Sequence, residues 1–168
     1  MLVGNFQGIK IMSKITSGDN IYDSRDIHKE AEDLREEKQD LLDKLAEAKD
    51  AIEDEAEDCG EQEQEAHKEE LKQAEEALKE FDEDSDTKAL LEFDEDGANN
   101  CVDWRHGETV IRESYFEDYC RGMLADVGDL PKDLPHYIVI DWAATADNLK
   151  ADYSSIEFDG ETYLVRSC

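Results

Sequence analysis

Basic residues are scarce in this chain: 18 Lys and Arg stand against 47 Asp and Glu in 168 residues, a net charge of −29. A surface of that sign repels nucleic acid and anionic membranes alike, so the expected partner is basic or carries a basic groove. Proline is nearly missing, with two residues in all, and neither precedes position 131. Long helices are therefore permitted over most of the chain. The four cysteines, Cys59, Cys101, Cys120 and Cys168, contain no C-x-x-C pair, which removes zinc-knuckle and dithiol redox motifs and fits reduced thiols in a cytoplasmic protein. No apolar run approaches the ~20 residues that a membrane span requires, and the start has neither a signal-peptide core nor a small-residue cleavage site. A cytoplasmic location with no membrane partner is expected. The first eleven residues are near-neutral and patternless, and residues 1–23 as a whole are expected to be poorly ordered.

Recognisable catalytic chemistry is also lacking. His28, His67, His106 and His136 are isolated in sequence, and no Ser or Cys stands in a nucleophile arrangement with any of them. No Gly-rich phosphate loop and no basic aromatic patch is present. Paired carboxylates occur everywhere and so single out nothing. The expectation is a protein that is not an enzyme, with no catalytic residue, no cofactor and no metal. The nearest approach to a calcium loop is Glu92 to Asp103, with oxygen side chains at alternating positions and Gly97 at the sixth. It fits poorly, because position one is Glu, position twelve is the shorter Asp103, and position eight is not a large apolar residue. An acidic turn is the plainer reading.

What is abundant is helical pattern. Ser24 has the chemistry of a helix N-cap, and no Gly or Pro follows until Gly60. Ile27, Ala31, Leu34, Lys38, Leu41, Leu45, Ala48 and Ile52 alternate steps of four and three, the spacing that keeps one seam of a helix facing a partner. Asp58-Cys59-Gly60 breaks the pattern, and His67, Leu71, Ala74, Leu78 and Phe81 resume it in a second helix. A short break between two seamed helices predicts an antiparallel hairpin. Asp82 to Asp86 reads as a polar break, Ser85 or Asp86 as the cap of a short helix carrying Ala89, Leu90 and Phe93, and Asp94 to Asn100 as a loop.

Residues 101–168 have a different character: 14 acidic and 6 basic residues, against 31 and 10 in residues 25–100, and both tryptophans. Glu108 to Arg112 reads as extended. Ser114 reads as the cap of a helix bearing Tyr115, Phe116, Tyr119, Cys120, Met123 and Leu124, closed by Gly128. His136 to Ile140 reads as a buried strand, and Asp141 as the cap of a helix bearing Trp142, Ala143, Ala146 and Leu149. Ile156–Phe158 and Thr162–Val165 flank Asp159-Gly160, the dipeptide favoured where both central turn residues need positive φ, and so read as a β-hairpin. The predicted fold class is α+β, a long acidic antiparallel helical hairpin followed by a small α/β module with about three strands. The predicted division is an N-terminal segment 1–23, a hairpin 24–81, a short helix and acidic loop 82–100, and a C-terminal module 101–168.

The segments Tyr115-Phe116-Glu117-Asp118-Tyr119, Ile140-Asp141-Trp142-Ala143-Ala144 and Asp152-Tyr153 through Arg166 resemble the C-terminal portion of ArdA-type antirestriction proteins of phages and mobile elements. The resemblance covers about the last third of the chain. It implies an acidic, dimeric DNA mimic that occupies the DNA-binding groove of a host-defence enzyme in the bacterial cytoplasm. That family begins with its own small α/β domain, whereas here an acidic helical hairpin takes that place, so the identity of the target enzyme does not carry over.

The charge agrees with such a role in density. A helix of ~35 residues is about 50 Å long, and the net −21 of residues 25–100 spread along it gives one charge per ~2.4 Å, against one per ~1.7 Å for duplex DNA. The candidate partner-binding residues lie off the apolar seam: Glu32, Glu36, Glu37, Asp40, Asp43, Glu47, Asp50, Glu53, Asp54, Glu69, Glu70 and Glu76. Tyr115, Tyr119 and Trp142 are the candidates for homodimer contacts, weighed against an ordinary place in the core. Two function classes result. One is an inhibitor that fills a basic DNA-binding groove with these carboxylates. The other is a coiled-coil adaptor that recognises a partner helix through Leu34, Leu41, Leu45, Leu71 and Leu78, its acids serving only solubility.

Overall fold

The structure is a computed structural model that describes residues 15–54, 61–130 and 133–167. The break at Asp58-Cys59-Gly60, Pro131 and Cys168 lie outside the described residues, as do residues 1–14. The fold is α+β, mostly helical with one small antiparallel sheet. The described chain forms two compact units, one of residues 30–88 and one of residues 15–29 together with 89–168.

Helix α1 runs over Ser24–Asp54 and helix α2 over Glu61–Glu83. Within residues 30–88 the seam positions are the covered ones: Ala31, Leu34, Ala48 and Phe81 are buried, and Leu41, Leu45, Leu71 and Leu78 are partly covered. Lys38 interrupts the seam, and its Nζ sits 2.7 Å from an Asp82 carboxylate oxygen and 5.9 Å from the centroid of the Phe81 ring. That contact settles the direction of the pair. From Lys38, α1 rises about 24 Å to its end, and α2 rises about 31 Å from its start to Asp82. The six residues between the helices span at most about 25 Å, too little to carry the chain back past Lys38 for a parallel approach. The helices run antiparallel.

The second unit is built on a sheet of order β1-β2-β4-β3, with β1 Ile21–Asp23, β2 Thr109–Arg112, β3 Tyr153–Phe158 and β4 Glu161–Arg166, all antiparallel. Successive side chains of a strand point to opposite faces, so each face carries its own cluster. On one face Ile111 and Leu164 pack with Phe116 and Cys120 of α4 (Phe116–Asp126) and Ala146 of α5 (Trp142–Leu149). On the other, Tyr22, Phe158 and Tyr163 meet Phe93 of α3 (Ser85–Asn100). Phe93 stacks on Phe158 at 4.5 Å between ring centroids and meets the Trp104 ring edge-on. Aromatic pairs of this kind add to the area they bury. The turn at Asp159-Gly160 has positive φ at both residues, 48° and 78°, as the sequence requires of it. Asp141 caps α5, its carboxylate accepting from the Ala144 N–H at 3.0 Å.

Several expectations are corrected. The sheet has four strands rather than about three, because Ile21–Asp23 adds to β2. Residues 15–23 are accordingly part of the sheet unit, not a loose start: the Tyr163 hydroxyl lies 2.9 and 3.0 Å from the Ser17 and Asp19 carbonyls, and the Tyr22 hydroxyl donates to the Thr16 carbonyl. His136–Ile140 is not a strand. It is an exposed connection turned by an Ile138 N–H to Pro135 carbonyl bond of 2.9 Å, and it has no place in the sheet. Asp94–Asn100 is not a loop but the second half of α3. Asp84, rather than Ser85 or Asp86, caps that helix, accepting from the N–H groups of Asp86 and Thr87 at 2.8 and 3.1 Å. Ser24 likewise does not cap α1. Its buried hydroxyl donates to the Trp104 carbonyl at 2.5 Å and accepts from the Glu108 N–H at 2.7 Å, while Asp23 accepts from the Arg25 N–H. Ser114 lies in a 3-10 turn, Glu113–Tyr115, that leads into α4.

Candidate functional site

The carboxylates of the helical unit are arranged by the same periodicity that makes the seam. Glu36, Asp40, Asp43, Glu47 and Asp50 alternate steps of four and three along α1, offset by two positions from Leu34, Lys38, Leu41, Leu45 and Ala48. Two positions on a helix turn the side chain by about 200°, so these acids form a line on the face opposite the seam, one carboxylate per ~5.4 Å of axis. All five are exposed. In α2 the same three-and-four spacing on the face opposite His67, Leu71, Ala74 and Leu78 runs Glu65, Glu69, Lys72, Glu76, Lys79 and Glu83, so two lysines interrupt the line, and its four acids are also exposed.

Of the remaining sequence candidates, Glu32, Glu53 and Glu70 are exposed and Glu37 is partly covered. The Asp54 side chain lies outside the described residues. Some of these groups are tied to neighbours on their own helix, Glu83 among them at 3.8 Å from Lys79 Nζ. Glu32 meets Arg35 at 3.1 Å, one turn away, Asp43 accepts from Gln39 at 2.8 Å and Glu69 from Gln73 at 3.2 Å. Exposed pairs of this kind are weak and are readily exchanged for a partner's cations.

The hairpin alone is less dense in charge than residues 25–100 taken together. Residues 24–83 hold 25 acidic and 9 basic residues, net −16. The 31 residues of α1 are about 46 Å long, which gives one net charge per ~2.9 Å against one per ~1.7 Å for duplex DNA. The two antiparallel helices make up part of the difference in geometry, because seams that face each other set the two acidic lines on opposite outer sides. With helix axes 8–10 Å apart and side chains reaching outward from each, those lines are separated by roughly 20 Å.

Asp94, one of the acids of the supposed calcium loop, is not part of any surface. Its carboxylate is buried, accepts from Trp104 Nε1 at 2.7 Å and lies 3.1 Å from His28 Nδ1. Gly97, one helical turn on, lies under the Trp104 ring, where a Cβ would come within 2.3 Å of ring carbons. A helix through residues 92–100 cannot fold as a calcium loop, and the glycine serves close packing instead. Nothing in the sequence marked Asp94 apart from its acidic neighbours. The clue was Trp104, a buried indole N–H that needs an acceptor.

The three aromatic candidates for self-association are each partly covered. Tyr115 and Tyr119 pack against the α4–α5 core cluster, and Trp142 lies beneath the Arg121 guanidinium at 5.1 Å. Among the described residues no group of three or more His, Cys, Asp or Glu side chains is arranged to hold a metal, and no helix is long and apolar enough to cross a membrane. Comparison with known proteins found no matching family model, no matching curated protein and no matching solved structure.

Proposed function

We propose that this protein is a non-enzymatic inhibitor that occupies the basic DNA-binding groove of a host-defence enzyme, with the carboxylates of α1 and α2 standing in for phosphates. The observation that carries the reading is the line of exposed acids opposite the α1 seam, Glu36, Asp40, Asp43, Glu47 and Asp50, regular over about 21 Å of helix, with further exposed acids on the far face of α2. The resemblance of residues 115–166 to ArdA-type proteins supports the same class of target, an enzyme that binds duplex DNA in the cytoplasm. The fit is electrostatic and distributed. Each carboxylate is exposed, so each contributes little alone, and attraction between surfaces depends on salt because ions screen charges beyond about 8 Å at physiological ionic strength.

The test is a set of amide substitutions made together, Glu36→Gln, Asp40→Asn, Asp43→Asn, Glu47→Gln and Asp50→Asn, which remove charge and leave the seam intact. The variant is compared with the parent for capture of DNA-binding enzymes from host lysate, with duplex DNA as competitor. The parent is expected to retain such an enzyme at low salt and release it to DNA or to high salt. The variant is expected to lose most of the capture, and each single amide change to lose little. Undiminished capture by the five-fold variant, or a partner that neither salt nor DNA displaces, would overturn the reading in favour of recognition through the seam leucines.

A further inference from the structure

A pair of helices leaves a groove on each side of its seam, and the two grooves of this hairpin differ in charge and in room. Antiparallel packing brings to one side the residues that stand just before the seam positions Ala31, Lys38, Leu45 and Ile52 of α1 and Leu71 and Leu78 of α2. These are Glu30, Glu37 and Glu70 against a single cation, Lys44, with the small side chains of Ala51 and Ala77 leaving space between them. Glu30, Glu37, Ala51 and Ala77 are partly covered. The other side carries Arg35, Lys49 and Lys68 against Glu75 and Asp82, all exposed, beside Leu42 at 39% exposure. One groove is acidic and the other slightly basic, and both border seam leucines, Leu41, Leu45 and Leu78, that the two helices cover only in part.

We infer that the acidic groove is the docking site of this chain's own residues 2–14. Charge favours that occupant: in a chain of net −29 no acid precedes Asp19, and Lys10 and Lys14 stand among Leu2, Val3, Phe6, Ile9, Ile11 and Met12. A cationic and apolar segment matches a groove with an apolar floor and acidic edges. Its point of departure is fixed beside the helix. Ile15 is buried, and the Thr16 carbonyl accepts from the hydroxyl of Tyr22, two residues before α1 begins at Ser24. Glu30 and Glu37 lie about 9 and 20 Å along α1 from Ser24, and an extended chain covers about 3.3 Å per residue, so the segment reaches past both. Lys14 and Lys10 are about 13 Å apart when extended, against about 10 Å between Glu30 and Glu37, so one register sets Lys14 at Glu30 and Lys10 at Glu37. The apolar residues from Ile9 to Leu2 then lie over Leu41, Leu45 and Leu78. A seam covered in this way is closed to partner helices, and the acid line on the opposite face stays open, whatever that face binds.

Carbodiimide cross-linking of the full chain tests the contact, since it joins a lysine amine to a carboxylate only where the two meet. Products are read by mass spectrometry on the 19.2 kDa single chain, with Lys38 and Asp82, 2.7 Å apart, as the internal standard. Lys14 and Lys10 should be joined to Glu30, Glu37 or Glu70 in yields comparable with that standard. A second measurement reads the seam itself. Lys10→Glu together with Lys14→Glu reverses the charge of the segment and lies outside both helices, so circular dichroism should be unchanged. Amide exchange over residues 41–45 and 71–78 should then be faster by about tenfold, the equivalent of ~1.4 kcal/mol. Links from Lys10 and Lys14 to other acids, links found only between two copies, or none beside a formed Lys38–Asp82 link would overturn the inference. Exchange that the double variant leaves unaltered would do so as well.

Discussion

Gly97→Ala is expected to destabilise this protein, although the same change in an ordinary helix interior stabilises it. Alanine is better than glycine within a helix by about 1 kcal/mol, and Gly97 sits within α3, which extends to Asn100. Opposing that gain, the new methyl would lie 2.3 Å from Cζ2 and Cη2 of Trp104, where carbon atoms rest at about 3.5–4.0 Å. The ring would have to retreat by more than 1 Å, roughly the difference between those separations. Trp104 is 1% exposed and its Nε1 is bonded to Asp94 at 2.7 Å, so retreat overpacks the aromatic cluster and stretches a hydrogen bond to a buried carboxylate. Overpacking costs about 1–3 kcal/mol, and a hydrogen bond to a charged group contributes about 1.5–3 kcal/mol. Less the helix gain, the net loss is about 2–4 kcal/mol, which lowers the melting temperature by on the order of 10 °C. Thermal unfolding followed by tryptophan fluorescence and near-ultraviolet circular dichroism measures it. An unchanged or raised melting temperature would refute the packing account of Gly97.

Three further predictions concern the same unit. Asp94→Ala leaves the indole N–H of Trp104 and the His28 ring without their acceptor and should cost about 2–3 kcal/mol, whereas Asp94→Asn keeps an acceptor and should cost less; chemical denaturation of both variants checks the order. Calcium titration by calorimetry should show no stoichiometric binding at residues 92–103, since they lie mostly in a helix. Alkaline pH should unfold the sheet unit. Burial pushes the Tyr153 hydroxyl up to about 12 and raises those of Tyr22 and Tyr163 as well. A folded-state value above the unfolded value of about 10 means that the folded chain holds the proton more tightly, so stability is complete below pH ~10 and falls as pH rises toward about 12. Denaturation midpoints measured from pH 8 upward should be level until near pH 10 and then drop, and a midpoint that rises across that window would contradict the burial of these rings.

Local chemistry made some elements legible. The alternation of threes and fours gave α1 and α2, because a repeated seam is a property of the helix itself. Asp159-Gly160 gave its hairpin and Asp141 its helix start, because each is set by one or two residues and the backbone beside them. The antiparallel sense of the helix pair was legible too, since a short connection admits no other arrangement. The acidic line opposite the seam is a consequence of the same period, so the positions of Glu36, Asp40, Asp43, Glu47 and Asp50 on the outer face follow from the spacing of the residues alone.

What the tertiary structure decided are the features in which distant residues meet. Three residues, Ile21–Asp23, are too few to signal a strand, and only the free edge of β2 makes them one. His136–Ile140 has the side chains of a strand but not the neighbours, and a strand exists only where another backbone accepts its hydrogen bonds. Asp94 and Gly97 look like loop residues by composition, yet the Trp104 ring and its N–H select a helix with a buried acid and a bare backbone at those positions. In this protein the sequence alone settled charge, period and turns, because those are local. Which apolar segments are covered and which acid lies inside were set by partners far along the chain.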